Sequence, residues 1–153
     1  VISNRTEIIF DKILAKSGVL TMCMGCLFTA IVQSSSVTTS ILVPLVGSGV
    51  LRIETAYPIV LGANMGTTVT AFLAALTGNI AAITVAIVHM LFNLSGILIF
   101  YPIKAIRRIP IRIAKFLADK ISHKRWLAFV YVGTVFFILP LILIWISNFL
   151  KQK

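Results

Sequence analysis

The stretch GVLTMCMGCLFTAIVQSSSVTTSILVPLVGSG, residues 18–49, decides how the rest of the chain is read. Its centre, Gln33-Ser34-Ser35-Ser36, sets four polar side chains in a row, with no charged residue anywhere between Lys16 and Arg52. The apolar piece before that tip, 18–32, is shorter than the about 20 residues a helix needs to cross a bilayer. The piece after it, 37–47, is shorter still and ends in Gly47-Ser48-Gly49. Two half-length helices around a polar tip predict a re-entrant hairpin over 18–49, whose irregular backbone is tolerated only where it faces a cavity. The alternative is one helix from 18 to 46 with its serines bonded to carbonyls a turn earlier. On such a helix, consecutive polar residues would point around the axis and partly into lipid, so the hairpin is preferred. The start of its second arm exposes backbone N–H groups, a ready anion or carbonyl site.

A second polar cluster lies at Gly62-Ala63-Asn64-Met65-Gly66-Thr67-Thr68-Val69-Thr70, inside the apolar segment 55–77. Polar groups at membrane depth are costly unless paired or lining a cavity, and two such clusters read as two walls of one site. Gly62 and Gly66 each lower helix stability by about 1 kcal/mol. A span unwound near its middle is therefore expected, with free carbonyls and threonine hydroxyls facing the tip. Uncharged oxygens of this kind suit a small hard cation such as sodium. No carboxylate stands in either cluster, so calcium and magnesium are not expected.

The chain has 153 residues, 59% hydrophobic and 12% charged, with a mean hydropathy of +1.04. The uncharged runs 17–51, 55–103 and 126–150 each exceed a bilayer-spanning length. The fold class expected is all-α and integral to the membrane. The net charge of +10 does not mark nucleic-acid binding, because the basic residues concentrate between two spans, over 103–125. A Lys/Arg excess beside spans marks the cytoplasmic side and holds it against anionic lipid headgroups. Cys23 and Cys26 form a C-x-x-C inside an apolar run without polar access, and read as buried small hydrophobes rather than a redox or metal pair.

Around these landmarks the chain divides into five stretches. Residues 1–17 read as an interfacial amphipathic helix, polar and mixed in charge, and not as a cleavable signal peptide. The opening residue is Val, so a piece of a longer protein is expected. The hairpin 18–49 follows, then the broken span and its successor over 50–102, the successor carrying His89 and Asn93 four apart on one face. Those two are read as interhelical hydrogen-bonding groups ahead of a proton or substrate contact. The connector 103–125 alternates basic and apolar residues, with Pro110 interrupting the pattern, and is expected to lie on headgroups. A final transmembrane helix, 126–150, carries Trp126 and Trp145 near its ends and Pro140 as a kink. If 103–125 is cytoplasmic, the hairpin opens to the cytoplasm; Lys151 and Lys153 then lie outside, mildly against the rule.

At this point longer blocks become recognisable. The QSSS tip, PLVGSGVLRIETAYPIVLGANMGTTVTAFLAAL and HMLFNLSGILIFYPIKAIRRIPIRIAK together resemble the type II sodium-dependent phosphate cotransporters. The likeness runs over roughly 20–125 and corresponds to the second of that family's two inverted repeats. It implies one half of an inverted-repeat transporter of the plasma (inner) membrane, carrying inorganic phosphate with sodium as the coupling ion and no cofactor. It implies that Gln33, Ser34, Ser35 and Ser36, with Asn64 and Thr68, contact phosphate. It implies sodium positions at Gln33, Ser35, Asn64, Thr67 and Thr70. Animal relatives commonly carry Ser where this chain has Ala63, so one hydroxyl ligand is absent here. The first repeat is implied as a partner, in the same parent protein or in another chain.

Two other functions compete with this one. Hydroxyl and backbone donors do not choose between phosphate and other oxyanions, so a sodium-coupled carrier of another oxyanion is one. A non-transporting membrane partner that regulates a complete carrier is the other. An enzyme is not expected, because no nucleophile–base or acid pair lies in the apolar region.

Overall fold

The computed structural model describes residues 17–151, and all regular structure among them is helical. The expected interfacial helix over 1–17 therefore lies almost wholly outside the described residues. Helix α1 spans Gly18–Val32, α2 Ser35–Gly47, α3 Ile53–Ala75, α4 Ile80–Phe100 and α5 Lys104–His123. Helix α6, Trp126–Gly133, passes through a π-helical turn, Thr134–Ile138, into α7, Leu139–Lys151. Among the described residues, three stretches are long and apolar enough to cross a membrane: Ile53–Ala75, Ile80–Phe100 and Trp126–Lys151. Two compact units divide the chain inside α5, the first running to Ile111 and the second starting at Arg112.

In the first unit α3 is the central helix, with α1, α2 and α4 all packed on it. The chain breaks at Gln33 rather than running on to 46. Gln33 takes a left-handed conformation, φ 58°, and its N–H closes the last turn of α1 on the Thr29 carbonyl at 2.6 Å. Ser34 is extended and its hydroxyl accepts from the Val37 N–H at 3.3 Å, capping α2. Ser17 caps α1 and Asn79 caps α4 in the same way. The two arms fold back on each other, since Met24 and Phe28 of α1 line an apolar cavity with Ile41 and Leu45 of α2. The core beneath them is small: Leu42, Leu51 and Ala56, with Leu45, Val46, Ile59 and Val60 packed around it.

The expected break in the next span does not occur. Helix α3 is continuous from Ile53 to Ala75, through Gly62 to Thr70. The reason lies in how the glycines and threonines are used. A Cβ on Gly62 would run into the backbone of Met22 and Cys26, and one on Gly66 would meet the Cys26 carbonyl and Thr29. The two glycines let α1 approach backbone to backbone, a contact that drives helix association where the surroundings are as apolar as the side chains. On α1 the facing positions Thr21, Gly25 and Thr29 are all buried and spaced by four. The threonines donate back to their own helix: Thr67 to the Ala63 carbonyl at 3.3 Å, Thr68 to Met65 at 2.8 Å and Thr70 to Thr67 at 2.9 Å. Small residues that weaken an isolated helix here gain more from packing than they lose in propensity.

Helix α5 likewise runs through Pro110 without stopping. In the second unit, Pro140 cannot donate a backbone bond, and the ring crowds the carbonyl four residues back. The chain answers with the wider π turn just before it, in which the Leu139 N–H reaches the Thr134 carbonyl. Trp145 and Phe149 stack at 5.9 Å on α7.

Candidate functional site

The hairpin tip is built from the end of α1 and the first turn of α2. Gln33 and Ser36 are exposed, Ser34 and Ser35 half-buried. The amides of Ser35 and Ser36 occupy the first turn, where an α-helix supplies no backbone acceptor of its own. They add to the positive end of the α2 dipole at this point. Just inside the tip, the Thr29 and Thr38 hydroxyls meet at 2.7 Å, buried at 0% and 3% exposure. Thr38 also donates to the Ser34 carbonyl at 3.2 Å, so the Thr29 proton is left to bridge the arms. That bridge ties the first turn of α2 to the last turn of α1 just inside the tip. Sequence reasoning did not single it out. The usable signal was a threonine four residues before the tip and another two residues after it.

The register of α1 on α3 places the second cluster relative to the tip. Gly25 lies against Ile59, and Gly66 against Cys26, Thr29 and Ala30, so the two helices run parallel. Continuing upward, Gln33 falls level with the turn that carries Thr70. At about 100° per residue, Thr70 shares the α1-facing side with Gly62 and Gly66. Thr67 shares the side of Ala56 and Val60, which packs against α2 through Leu42 and Leu45. Thr67 and Thr70, both half-buried, thus lie on the hairpin side of α3. Their hydroxyl protons are spent on helix carbonyls, which leaves lone pairs available to a cation.

Asn64 and Thr68 point elsewhere. Asn64 lines a cavity of about 250 Å³ with Tyr57, Leu61, Phe92 and Asn93, on the side of α3 that faces α4. Its carbonyl accepts from the Asn93 side chain at 3.3 Å. Thr68, one turn on, shares that face and is fully buried. Register and azimuth thus set Gln33 level with Thr70 on the hairpin side of α3, where Thr67 also lies, while Asn64 and Thr68 are turned toward α4. Asn93 makes the interhelical bond, whereas His89, on the same face by spacing, is exposed. Ala63, where a hydroxyl was missed, is completely buried. Cys26 packs its backbone on Gly62, while Cys23 is exposed rather than buried; both are free thiols. Among the described residues, no three His, Cys, Asp or Glu side chains gather to hold a metal.

Comparison with known proteins adds an independent line. The family described as Na+/Pi-cotransporter matches residues 1–142. The chain is 50% identical over 129 residues to the sodium-dependent phosphate transport protein 2B of Homo sapiens, covering 82% of this chain and 19% of that protein. It is 46% identical over 135 residues to the sodium-dependent phosphate transport protein 2A of Oryctolagus cuniculus, covering 86% of this chain and 21% of that protein. The chain thus spans about a fifth of the length of the curated relatives it matches. No solved structure matches it.

Proposed function

The chain belongs to the Na+/Pi-cotransporter family, and from that premise we propose that it forms one half of a sodium-coupled carrier of inorganic phosphate. The observation that carries this reading is the hairpin tip: four polar residues between two apolar helices too short to cross a bilayer. Helix α1, with 15 residues, rises about 22 Å at 1.5 Å per residue, against a hydrocarbon core of about 30 Å. A hairpin of that reach that enters from one surface ends inside the membrane, so we read it as re-entrant.

The physical logic is a division of labour between charge types. Phosphate is met by the amides of Ser35 and Ser36, the positive end of α2, and the hydroxyls of Ser34, Ser35 and Ser36. Sodium takes oxygens with no proton to offer it: the Gln33 and Ser35 side chains from the tip, and Thr67 and Thr70 from α3. A cation beside the anion offsets its charge where water is scarce, so each ion strengthens binding of the other. Asn64 and Thr68, which the resemblance implies as ligands, face α4, and Thr68 is fully buried, so neither takes part in this arrangement. An inverted repeat, in the same protein or another chain, covers the exposed part of the tip and the half-buried Thr67 and Thr70 and supplies the second hairpin. Without it, hydroxyls of the tip would face hydrocarbon, at several kcal/mol each. We place the carrier in the plasma (inner) membrane.

The test is sodium-driven uptake of radiolabelled phosphate into liposomes that hold this repeat assembled with its inverted counterpart. Ser35→Ala is expected to lower uptake by about tenfold, the loss of roughly one ligand contact, with the amount of protein in the membrane unchanged. Unchanged uptake and sodium affinity across alanine replacements at Gln33, Ser34, Ser35 and Ser36 would refute the reading. Liposomes with the 153-residue chain alone are expected to show no uptake.

A further inference from the structure

Segment 104–125 contributes nothing to the transport site and carries charge that the chain cannot neutralise for itself. It holds eight Lys and Arg residues, whereas the whole chain holds four Asp and Glu. If every one of those carboxylates were spent on this segment, at least four positive charges would remain. The counter-charge must come from outside the chain. Helix α4 ends just before the segment and α6 begins just after it, each in a stretch long and apolar enough to cross a membrane. The segment is thus tied to the membrane surface at both ends, and the anions always within its reach are lipid phosphates.

Helix α5 forms nearly all of this segment, and its later half opens the second unit. There Ile113 and Phe116, three residues apart and so on one face, are 54% and 61% exposed. At about 100° per residue, Ser122 falls half a turn from Ile113, on the side of Lys115 and Asp119. All three of those polar residues are exposed. An apolar stripe on one side and a charged one on the other is the make-up of a helix that lies in a membrane interface. The Lys120 ammonium stands over the Phe116 ring, 5.6 Å from its centroid. A lysine laid over an apolar ring reaches for the headgroups while the ring sits deeper.

We propose that α5 is a binding surface for anionic lipid. Ile113 and Phe116 enter the acyl region, and the Lys and Arg side chains of the segment hold the phosphates of anionic headgroups. Beyond lying on headgroups, the helix then distinguishes between them: it docks on a leaflet that carries anionic lipid and stays off one that is neutral. No residue of the tip or of α3 takes part, so the proposal stands apart from the transport reading.

The experiment uses the full chain in nanodiscs of phosphatidylcholine alone and of phosphatidylcholine mixed with phosphatidylserine. Single-cysteine variants Ile113→Cys, Ser122→Cys and Leu143→Cys, in a background with Cys23 and Cys26 replaced by Ala, carry an environment-sensitive fluorophore. Quenching by acyl-brominated lipid is read for each. The label at 113 is expected to be quenched in the mixed discs and released in phosphatidylcholine, and the label at 122 to escape quenching in both. The label at 143, on the exposed surface of α7, should be quenched in both and reports that the chain is inserted. Lys120→Gln and Lys124→Gln are each expected to lower the docked-to-undocked ratio read at 113 about fivefold, and added salt to lower it further. Equal quenching at 113 in the two lipid mixtures overturns the proposal, and so does none in either. A label at 113 shielded from aqueous iodide yet untouched by brominated lipid would show a protein segment covering that face, which also overturns it.

Discussion

Replacing Thr38 by Val removes one side of the hydroxyl pair that bridges the hairpin arms, and the consequence can be worked out from the bonds on each side. Thr38 spends its proton on the Ser34 carbonyl at 3.2 Å and offers its lone pairs to Thr29 at 2.7 Å. In Thr38→Val the Thr29 hydroxyl, at 0% exposure, loses its acceptor and has no water to turn to. In Thr29→Val the Thr38 hydroxyl keeps its bond to Ser34 and loses only an incoming donor. The two substitutions are therefore unequal. An orphaned buried donor costs about 1–3 kcal/mol, and interhelical bonds in membrane proteins average about 0.6 kcal/mol in double-mutant cycles and reach about 1.7 kcal/mol. We expect about 1.5 kcal/mol for Thr38→Val and about 0.5 kcal/mol for Thr29→Val. The double variant has no group left to orphan and should cost no more than Thr38→Val alone.

Unfolding of the purified chain in mixed micelles, followed by helicity against denaturing detergent, measures all four corners of the cycle. A double variant whose cost equals the sum of the singles shows no coupling and refutes the bridge. Equal costs for the two singles refute the assignment of the proton. Because the pair ties the second arm to the first just inside the tip, Thr38→Val should also weaken sodium activation of uptake in the assembled carrier.

Two further outcomes follow from the packing and from the charge distribution. Gly66→Val drives a side chain into the Cys26 carbonyl and Thr29 and should destabilise by about 1–3 kcal/mol, whereas Gly96→Ala, with open space around it, should be neutral or raise stability by up to about 1 kcal/mol; the same detergent unfolding reads both. A Cys at Ser122, in a background without Cys23 and Cys26, should resist an impermeant thiol reagent applied outside intact cells, and rapid labelling from outside would reverse the orientation taken from the basic connector.

Much of this architecture was legible because membrane physics leaves few alternatives. Charge-free runs set the spans, and the four polar residues at 33–36 set the break between α1 and α2. What was misread was the role of Gly62 and Gly66. From one segment alone, two glycines beside Asn64 and three threonines describe a helix ready to unwind. The discriminating information lay about forty residues earlier, in Thr21, Gly25 and Thr29, spaced by four like the glycines themselves. Neither stripe has meaning without the other, since close approach is a property of a pair of helices. The split of the threonine cluster was hidden for a related reason. Thr67 and Thr70 differ from Thr68 only in azimuth on α3, and azimuth acquires a direction only once the neighbours of the helix are placed.

That split explains why an unbroken α3 can still serve an ion site. Unwinding is one way to free oxygens inside a membrane; holding a polar tip against an intact helix is another. Here the irregular backbone is confined to Gln33 and Ser34, where a left-handed residue and an extended one turn the chain within a single step. The glycines of α3 bring α1 close, and α1 carries the tip to the level of Thr70. The threonine pair then fixes the second arm to the first. Motion of the hairpin relative to α3 would change the distance from Gln33 and Ser35 to Thr67 and Thr70 together. In the proposed site, a cation shared between those two elements would hold them in one arrangement, and its release would let them part, without any helical hydrogen bond of α3 being broken.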